Sequence, residues 1–242
     1  MRISRLFLPA SLQSGESVTL NSERAHYLRT VLRLKKGDAL TVFNGRGCEF
    51  AATVREMQRE AVRIELGERH DLDQESPLKT HLGLGISRGE RMDLAIQKSV
   101  ELGASEITPL FTERCVVRLD EARQEHRVQH WQKVAQSACE QCGRNRVPVL
   151  NPPVGLSRWI ELAQGVRLIL HPYGGKRLHE LDRPGGPVTL LSGPEGGFSE
   201  NERLWAMQKG FIPLRLGPRI LRAETAALAA LAAIQAVWGD LG

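Results

Sequence analysis

From about residue 80 onward the sequence alternates between short β-type apolar runs and helix-type periodicity, and this alternation constrains the fold more than any other feature. The strand runs are THLGLGIS (80–87), EITPLF, VPVL, VRLILH (166–171), PVTLLSG (187–193) and FIPLRLG. Helical periodicity falls at 89–102, 121–142, 156–163, 199–209 and 223–238. Strands separated by helices cannot pair as hairpins, so the order predicts an α/β fold with a parallel sheet covered on both faces. In such sheets ligands bind beyond the carboxyl ends of the strands, which directs attention to the loops after residues 171, 192 and 214.

The first 70 residues follow a different rule. RISRLFL, LTVFN, EFAATVRE and AVRIELGE read as short strands, with one helix in NSERAHYLRTVLRL capped by Asn21 and presenting Leu28, Val31 and Leu32 on one face. This order fits a small barrel. The polar, proline-containing segment 70–79 marks the boundary, giving expected domains over 1–72 and 73–242. At 242 residues and 41% hydrophobic content, the chain can fill one large core or two modest ones.

Charge is unevenly placed. Residues 1–46 hold Arg2, Arg5, Arg24, Arg29, Arg33, Lys35, Lys36 and Arg46 against Glu16, Glu23 and Asp38, which accounts for the whole net charge of +5. A basic end of this kind suits phosphate. No apolar run approaches the roughly 20 residues a membrane helix needs, so a cytoplasmic chain with reduced cysteines is expected. Cys139 and Cys142 form a CxxC below His126 and His130, but their spacing is helical and lacks knuckle glycines; no metal is expected. Lys98 and Glu101, at i and i+3, are expected to pair. The Ala-rich end, ETAALAALAAIQAVWG, is apolar on nearly every face and must be buried in the core or against a second subunit.

Three glycine-rich loops stand where ligands bind: HPYGGKR, Ser192-Gly193-Pro194-Glu195-Gly196-Gly197-Phe198, and Leu216-Gly217-Pro218-Arg219-Ile220-Leu221-Arg222. Glycine lets backbone groups approach a ligand where a Cβ would block it. The second loop also reads as a tight turn before a helix capped by Ser199 and Glu202. No GxxxxGK[ST] and no GxGxxG at a first strand-to-helix turn is present, which excludes the common nucleotide and dinucleotide sites.

The stretches KSVELGASEITP, SGPEGGFSENE and RLGPRILRAETA resemble three motifs of the SPOUT superfamily of trefoil-knotted methyltransferases, and in detail the ribosomal RNA small subunit methyltransferase E family. Arg5, Phe7 and Leu8, His26 with Val31-Leu32-Arg33, and Glu140-Gln141 with Arg144 also match, so the resemblance runs almost end to end. It implies a PUA-like RNA-binding barrel before a knotted domain, with the knot within about 166–238. It further implies a homodimer that transfers methyl from S-adenosyl-L-methionine to N3 of one uridine, near position 1498, of 16S rRNA in the assembled 30S subunit. On this template the cofactor lies among Leu170, His171, Ser192, Gly193, Pro194, Glu195, Gly196, Gly197, Leu216, Gly217, Ile220, Leu221 and Thr225. Arg222, Glu224, Arg144 and Glu195 are the candidate catalytic residues, with Arg222 first for stabilising charge that develops on the uracil oxygens. Arg2, Arg5, His26, Arg29, Arg33, Lys35 and Lys36 are the candidate RNA contacts. The competing readings are a related methyltransferase acting on another rRNA or a tRNA nucleotide, and a non-catalytic RNA-binding assembly factor.

Overall fold

The computed structural model describes residues 3–72, 74–115 and 121–242. The chain divides into two compact units, Met1–Glu75 with Cys139–Val147, and Ser76–Ala138 with Pro148–Gly242.

In the first unit β1 (Ser4–Phe7), β2 (Ser17–Leu20), β3 (Ala39–Phe43), β4 (Glu49–Met57) and β5 (Val62–His70) form one sheet in the order β1-β3-β4-β5-β2. Its pairings are antiparallel except for β1 with β3. Period-two alternation buries Phe50, Ala52 and Val54 from β4 and Val62, Ile64 and Leu66 from β5 in a single apolar cluster. Register shifts at Phe50/Ala52 and Val54/Glu56 break the β4–β5 ladder and add the local twist that curls such a sheet. The short β2, SVTL, adds a strand to those that the sequence predicts.

Asn21 caps α1 (Ser22–His26), its side-chain oxygen accepting the Arg24 N–H at 3.3 Å. The helix then widens into a π turn over Tyr27–Val31, closed by Leu32 N–H to Tyr27 O at 3.0 Å. This changes the expected face. Leu28 is fully buried, whereas Val31 is 59% exposed, because i→i+5 bonding rotates the later side chains off the i, i+3 line.

The second unit contains β6 (Thr80–Gly85), α2 (Glu90–Glu101), β7 (Glu106–Phe111), α3 (Glu121–Cys142, whose last turn groups with the first unit), β8 (Val149–Leu150), β9 (Val154–Gly155), α4 (Leu156–Leu162), β10 (Val166–Leu170), β11 (Val188–Ser192), α5 (Glu200–Gln208), β12 (Ile212–Leu214) and α6 (Ala223–Trp238). Every strand pair is parallel, in the order β12-β10-β11-β6-β7-β8, with β9 also on β7. The fold is therefore α/β, and β11 is buried along its whole length, as a strand with helices on both faces must be.

The last helix buries Ala227, Ala230, Leu231, Ile234, Gln235 and Trp238, with Gln235 Oε1 accepting the Ser76 hydroxyl at 2.7 Å. Burial all round is not what one chain provides: Val237 is 52% exposed. Lys98 pairs with Glu101 at 2.8 Å. Among the described residues no helix is long and apolar enough to cross a membrane.

Candidate functional site

All three glycine loops border one cleft of about 420 Å³ in the second unit, a size suited to a small organic ligand. The loop after β11 shows why its glycines are needed. A Cβ on Gly196 would stand 3.0 Å from Arg114 Cβ and 3.1 Å from Arg114 O, and Gly197 has φ +68°. Gly85, at the end of β6, lets the loop cross directly over it, since a Cβ there would lie 2.3 Å from Pro194 N. Ser199 and Glu202 form the capping box of α5, so the tight turn and the ligand-ready backbone are one structure.

Backbone bonds tie the other two loops together. His171 N–H donates to Leu214 O at 3.0 Å, Lys176 N–H to Pro213 O at 2.9 Å and Arg215 N–H to Lys176 O at 2.9 Å. Gly175 (φ +112°) permits this, because a side chain there would meet Pro213 O at 2.4 Å.

Twelve of the thirteen residues expected around a cofactor line the cleft: Leu170, His171, Ser192, Gly193, Pro194, Glu195, Gly196, Gly197, Leu216, Gly217, Ile220 and Leu221. Thr225 is exposed and is not among them. The cleft also holds residues outside the loops that sequence reasoning selected, notably Arg114 and Arg203, with Tyr173, Phe198 and Arg219 joining them from the loops themselves. Arg114 donates to Gly196 O at 3.2 Å. Arg203 Nη1 lies 3.0 Å from His171 Nε2, and its Nη2 pairs with Glu200. Apart from its i, i+3 spacing to Glu200, nothing local marks Arg203, because its ring partner lies 32 positions away.

The candidate catalytic residues are dispersed. Glu195 lines the cleft and accepts from Arg91 at 2.9 Å. Arg222 is the exposed N-cap residue of α6, beside lining residues Leu221 and Ala223. Glu224 sits in the first turn of α6, with its Oε2 buried and without a hydrogen-bond partner. Arg144 belongs to the first unit, where its buried guanidinium holds Glu75 at 2.5 Å.

The first unit also gathers the remaining motif residues. Arg5 bonds Glu49 at 2.5 Å and Asn145 at 2.6 Å, with its guanidinium 4.9 Å from the Phe43 ring centre. Glu140 accepts the Phe7 N–H at 2.9 Å and the Tyr27 hydroxyl at 3.0 Å. Burial raises the Glu140 carboxyl above the usual carboxylate value, outweighing these bonds. Burial, then the adjacent Glu140, pushes the Tyr27 hydroxyl up to about 12. Of the candidate RNA contacts, His26, Arg33, Lys35 and Lys36 are exposed, and Arg29 donates to Gln58 O and Arg59 O. Arg5 is already engaged within the unit, and Arg2 lies outside the described residues. Arg33 has φ +55°, the one non-glycine residue with positive φ among those described.

Cys139 is buried, and that burial raises its thiol to about 12. Among the described residues no group of three or more His, Cys, Asp or Glu side chains is placed to hold a metal ion.

A family model described as RNA methyltransferase domain matches residues 74–235, and one described as RNA methyltransferase PUA domain matches residues 20–67. The ribosomal RNA small subunit methyltransferase E of Buchnera aphidicola subsp. Schizaphis graminum is 38% identical over 99% of this chain and 98% of that protein. Among solved structures, the ribosomal RNA small subunit methyltransferase E of Neisseria gonorrhoeae bound to S-adenosyl methionine is 37% identical, with a TM-score of 0.93 over 100% of both chains. A Legionella pneumophila methyltransferase in complex with the bound cofactor SAM is 42% identical, with a TM-score of 0.96 over 100% of both chains.

Proposed function

The chain belongs to the ribosomal RNA small subunit methyltransferase E family, and we propose that it transfers a methyl group from S-adenosyl-L-methionine to N3 of one uridine in 16S rRNA of the assembled 30S subunit. The observation that carries this reading is the convergence of three glycine loops on one cleft, in a fold that matches a cofactor-bound relative along its whole length. The cleft fits the cofactor: its backbone is stripped of side chains at Gly193, Gly196 and Gly217, leaving N–H and C=O groups for an adenine edge, and its apolar wall is made by Leu170, Leu216 and Leu221.

When bound, the cofactor supplies an electrophilic methyl on a sulfonium. The protein's part is to set the uridine N3 in line with it and to stabilise the anion left when the N3 proton departs. Arg222, at the exposed start of α6, is proposed to face the uracil oxygens on which that charge gathers. Glu195 and Glu224 are the candidate proton acceptors: Glu195 faces the cleft but is held by Arg91, whereas Glu224 has a carboxylate oxygen without a partner. Arg144 is proposed to act by bracing the first unit through Glu75. His26, Arg29, Arg33, Lys35 and Lys36 are proposed to meet RNA phosphates, with Arg2 and Arg5 completing the basic end.

A homodimer is proposed from the largely apolar α6, on which Val237 is 52% exposed, and a knot within 166–238 from the resemblance of the motifs there. The proposed workplace is the cytoplasm, where small subunits assemble. The deciding experiment incubates small subunits from a strain lacking this methylation with labelled cofactor and maps the product by mass spectrometry. Label on one 16S uridine at N3 is expected. Label on tRNA or at another rRNA position would support the related-enzyme reading, and absence of label with intact RNA binding would support the assembly-factor reading.

A further inference from the structure

Three guanidiniums, from Arg114, Arg203 and Arg219, border a cleft whose one carboxylate among the described residues, Glu195, is already paired with Arg91. A ligand bearing a sulfonium cation is repelled by such a rim unless one of those cations meets the ligand's anionic end. Arg203 is the best placed to do so. Arg114 and Arg219 are exposed, and Arg114 is bonded to Gly196 O, whereas the Arg203 side chain retains 30% exposure, so water screens its charge less.

The present partners of Arg203 are weak ones. Glu200 is a surface carboxylate with 63% side-chain exposure. The other contact, with the His171 ring, is frustrated: Nε2 faces an Arg203 N–H at 3.0 Å while Nδ1 faces the Tyr173 backbone N–H at 3.3 Å. A neutral imidazole has one acceptor nitrogen, and a protonated one has none, so both contacts cannot be hydrogen bonds at once. A carboxylate in the cleft would give Arg203 a full acceptor and leave His171 free to accept from Tyr173.

Resting on the S-adenosylmethionine reading above, we infer that Arg203 is the specificity-determining residue for the cofactor's α-carboxylate, held toward the cleft by its contact with His171. That carboxylate then sits against the first turns of α5, which follows directly on the glycine loop after β11.

The test is calorimetry on the full chain with two probes, S-adenosylmethionine and its decarboxylated analogue, which keeps the sulfonium and the amine but lacks the carboxylate. The wild type is expected to prefer the carboxylate-bearing probe by about 10- to 100-fold, the range of a charge-assisted hydrogen bond in a partly buried site. Arg203→Gln should lose that preference while its affinity for the decarboxylated probe stays within about twofold, and Arg203→Lys, which keeps the charge but not the fork, should retain part of it. Circular dichroism confirms folding of each variant, and the Lys variant carries the test should the Gln variant not fold. Equal weakening of both probes, an unchanged preference, or a preference abolished by Arg219→Gln or Arg114→Gln instead would overturn the assignment. A wild-type chain that binds neither probe defeats the methyltransferase reading, and this assignment with it.

Discussion

The Tyr27 hydroxyl donates to Glu140 Oε2 at 3.0 Å, joining the π turn of the first unit to the last turn of α3 across 113 positions of sequence. The same carboxylate accepts the Phe7 N–H, so one side chain fastens three separate segments.

Burial raises the Glu140 carboxyl, so the folded chain holds that proton to higher pH than the unfolded chain does. Its contribution to stability is therefore full below the ordinary value of 4.5 and is lost as pH rises through the raised one. The margin in melting temperature of the wild type over Glu140→Gln is expected to shrink between pH 4 and pH 8. A margin that grows over this range would contradict the burial account. The Tyr27 shift has the same sign: its contribution is present below pH 10 and lost as pH rises through about 12. In a Tyr173→Phe chain, absorbance at the tyrosinate band should accordingly develop around pH 12.

Arg33 adopts a left-handed backbone that costs a non-glycine residue about 1 kcal/mol or more, which makes a functional reason for its side chain the natural reading. Arg33→Gly should raise the melting temperature by about 2–4 °C, the equivalent of roughly 1 kcal/mol in a chain of this size, while weakening RNA binding. Replacing Arg33 and Lys35 together by alanine should reduce the slope of log affinity against log salt by roughly 1.4–1.8. A stabilised Arg33→Gly chain with unchanged RNA affinity would remove Arg33 from the interface.

Arg222 stands exposed at the cleft's edge, between the lining residues Leu221 and Ala223. Arg222→Ala is expected to keep S-adenosylmethionine affinity within several-fold in calorimetry yet lose most single-turnover methylation. Turnover at the wild-type rate would sink its catalytic role.

Gly85 is needed because the loop after β11 crosses within 2.3 Å of where its Cβ would be. That neighbour is backbone, which cannot rotate away. Gly85→Ala should cost about 1–3 kcal/mol in denaturant unfolding and lower cofactor affinity at least tenfold by displacing Gly193 to Gly197. Gly186→Ala, where a Cβ meets nothing within 4 Å, is the control and should change neither.

Local chemistry made much of this protein legible from its sequence. Alternating periodicities fixed the strand and helix order of the second unit within a few residues, and the positive-φ glycines Gly197 and Gly217 marked the loops, because a backbone turn is a local requirement, whereas Gly196 is required against the distant Arg114. Charge on exposed residues such as Lys35 and Lys36 was equally readable, since a solvated side chain needs no partner to be recognised. Tertiary structure decided what depends on distant partners. Arg203 against His171, Arg144 on Glu75 and Glu140 beneath Phe7 and Tyr27 all arise from packing between segments far apart in sequence. Sequence periodicity describes how each segment buries its own face, whereas the partner a buried charge finds is set only when those faces meet.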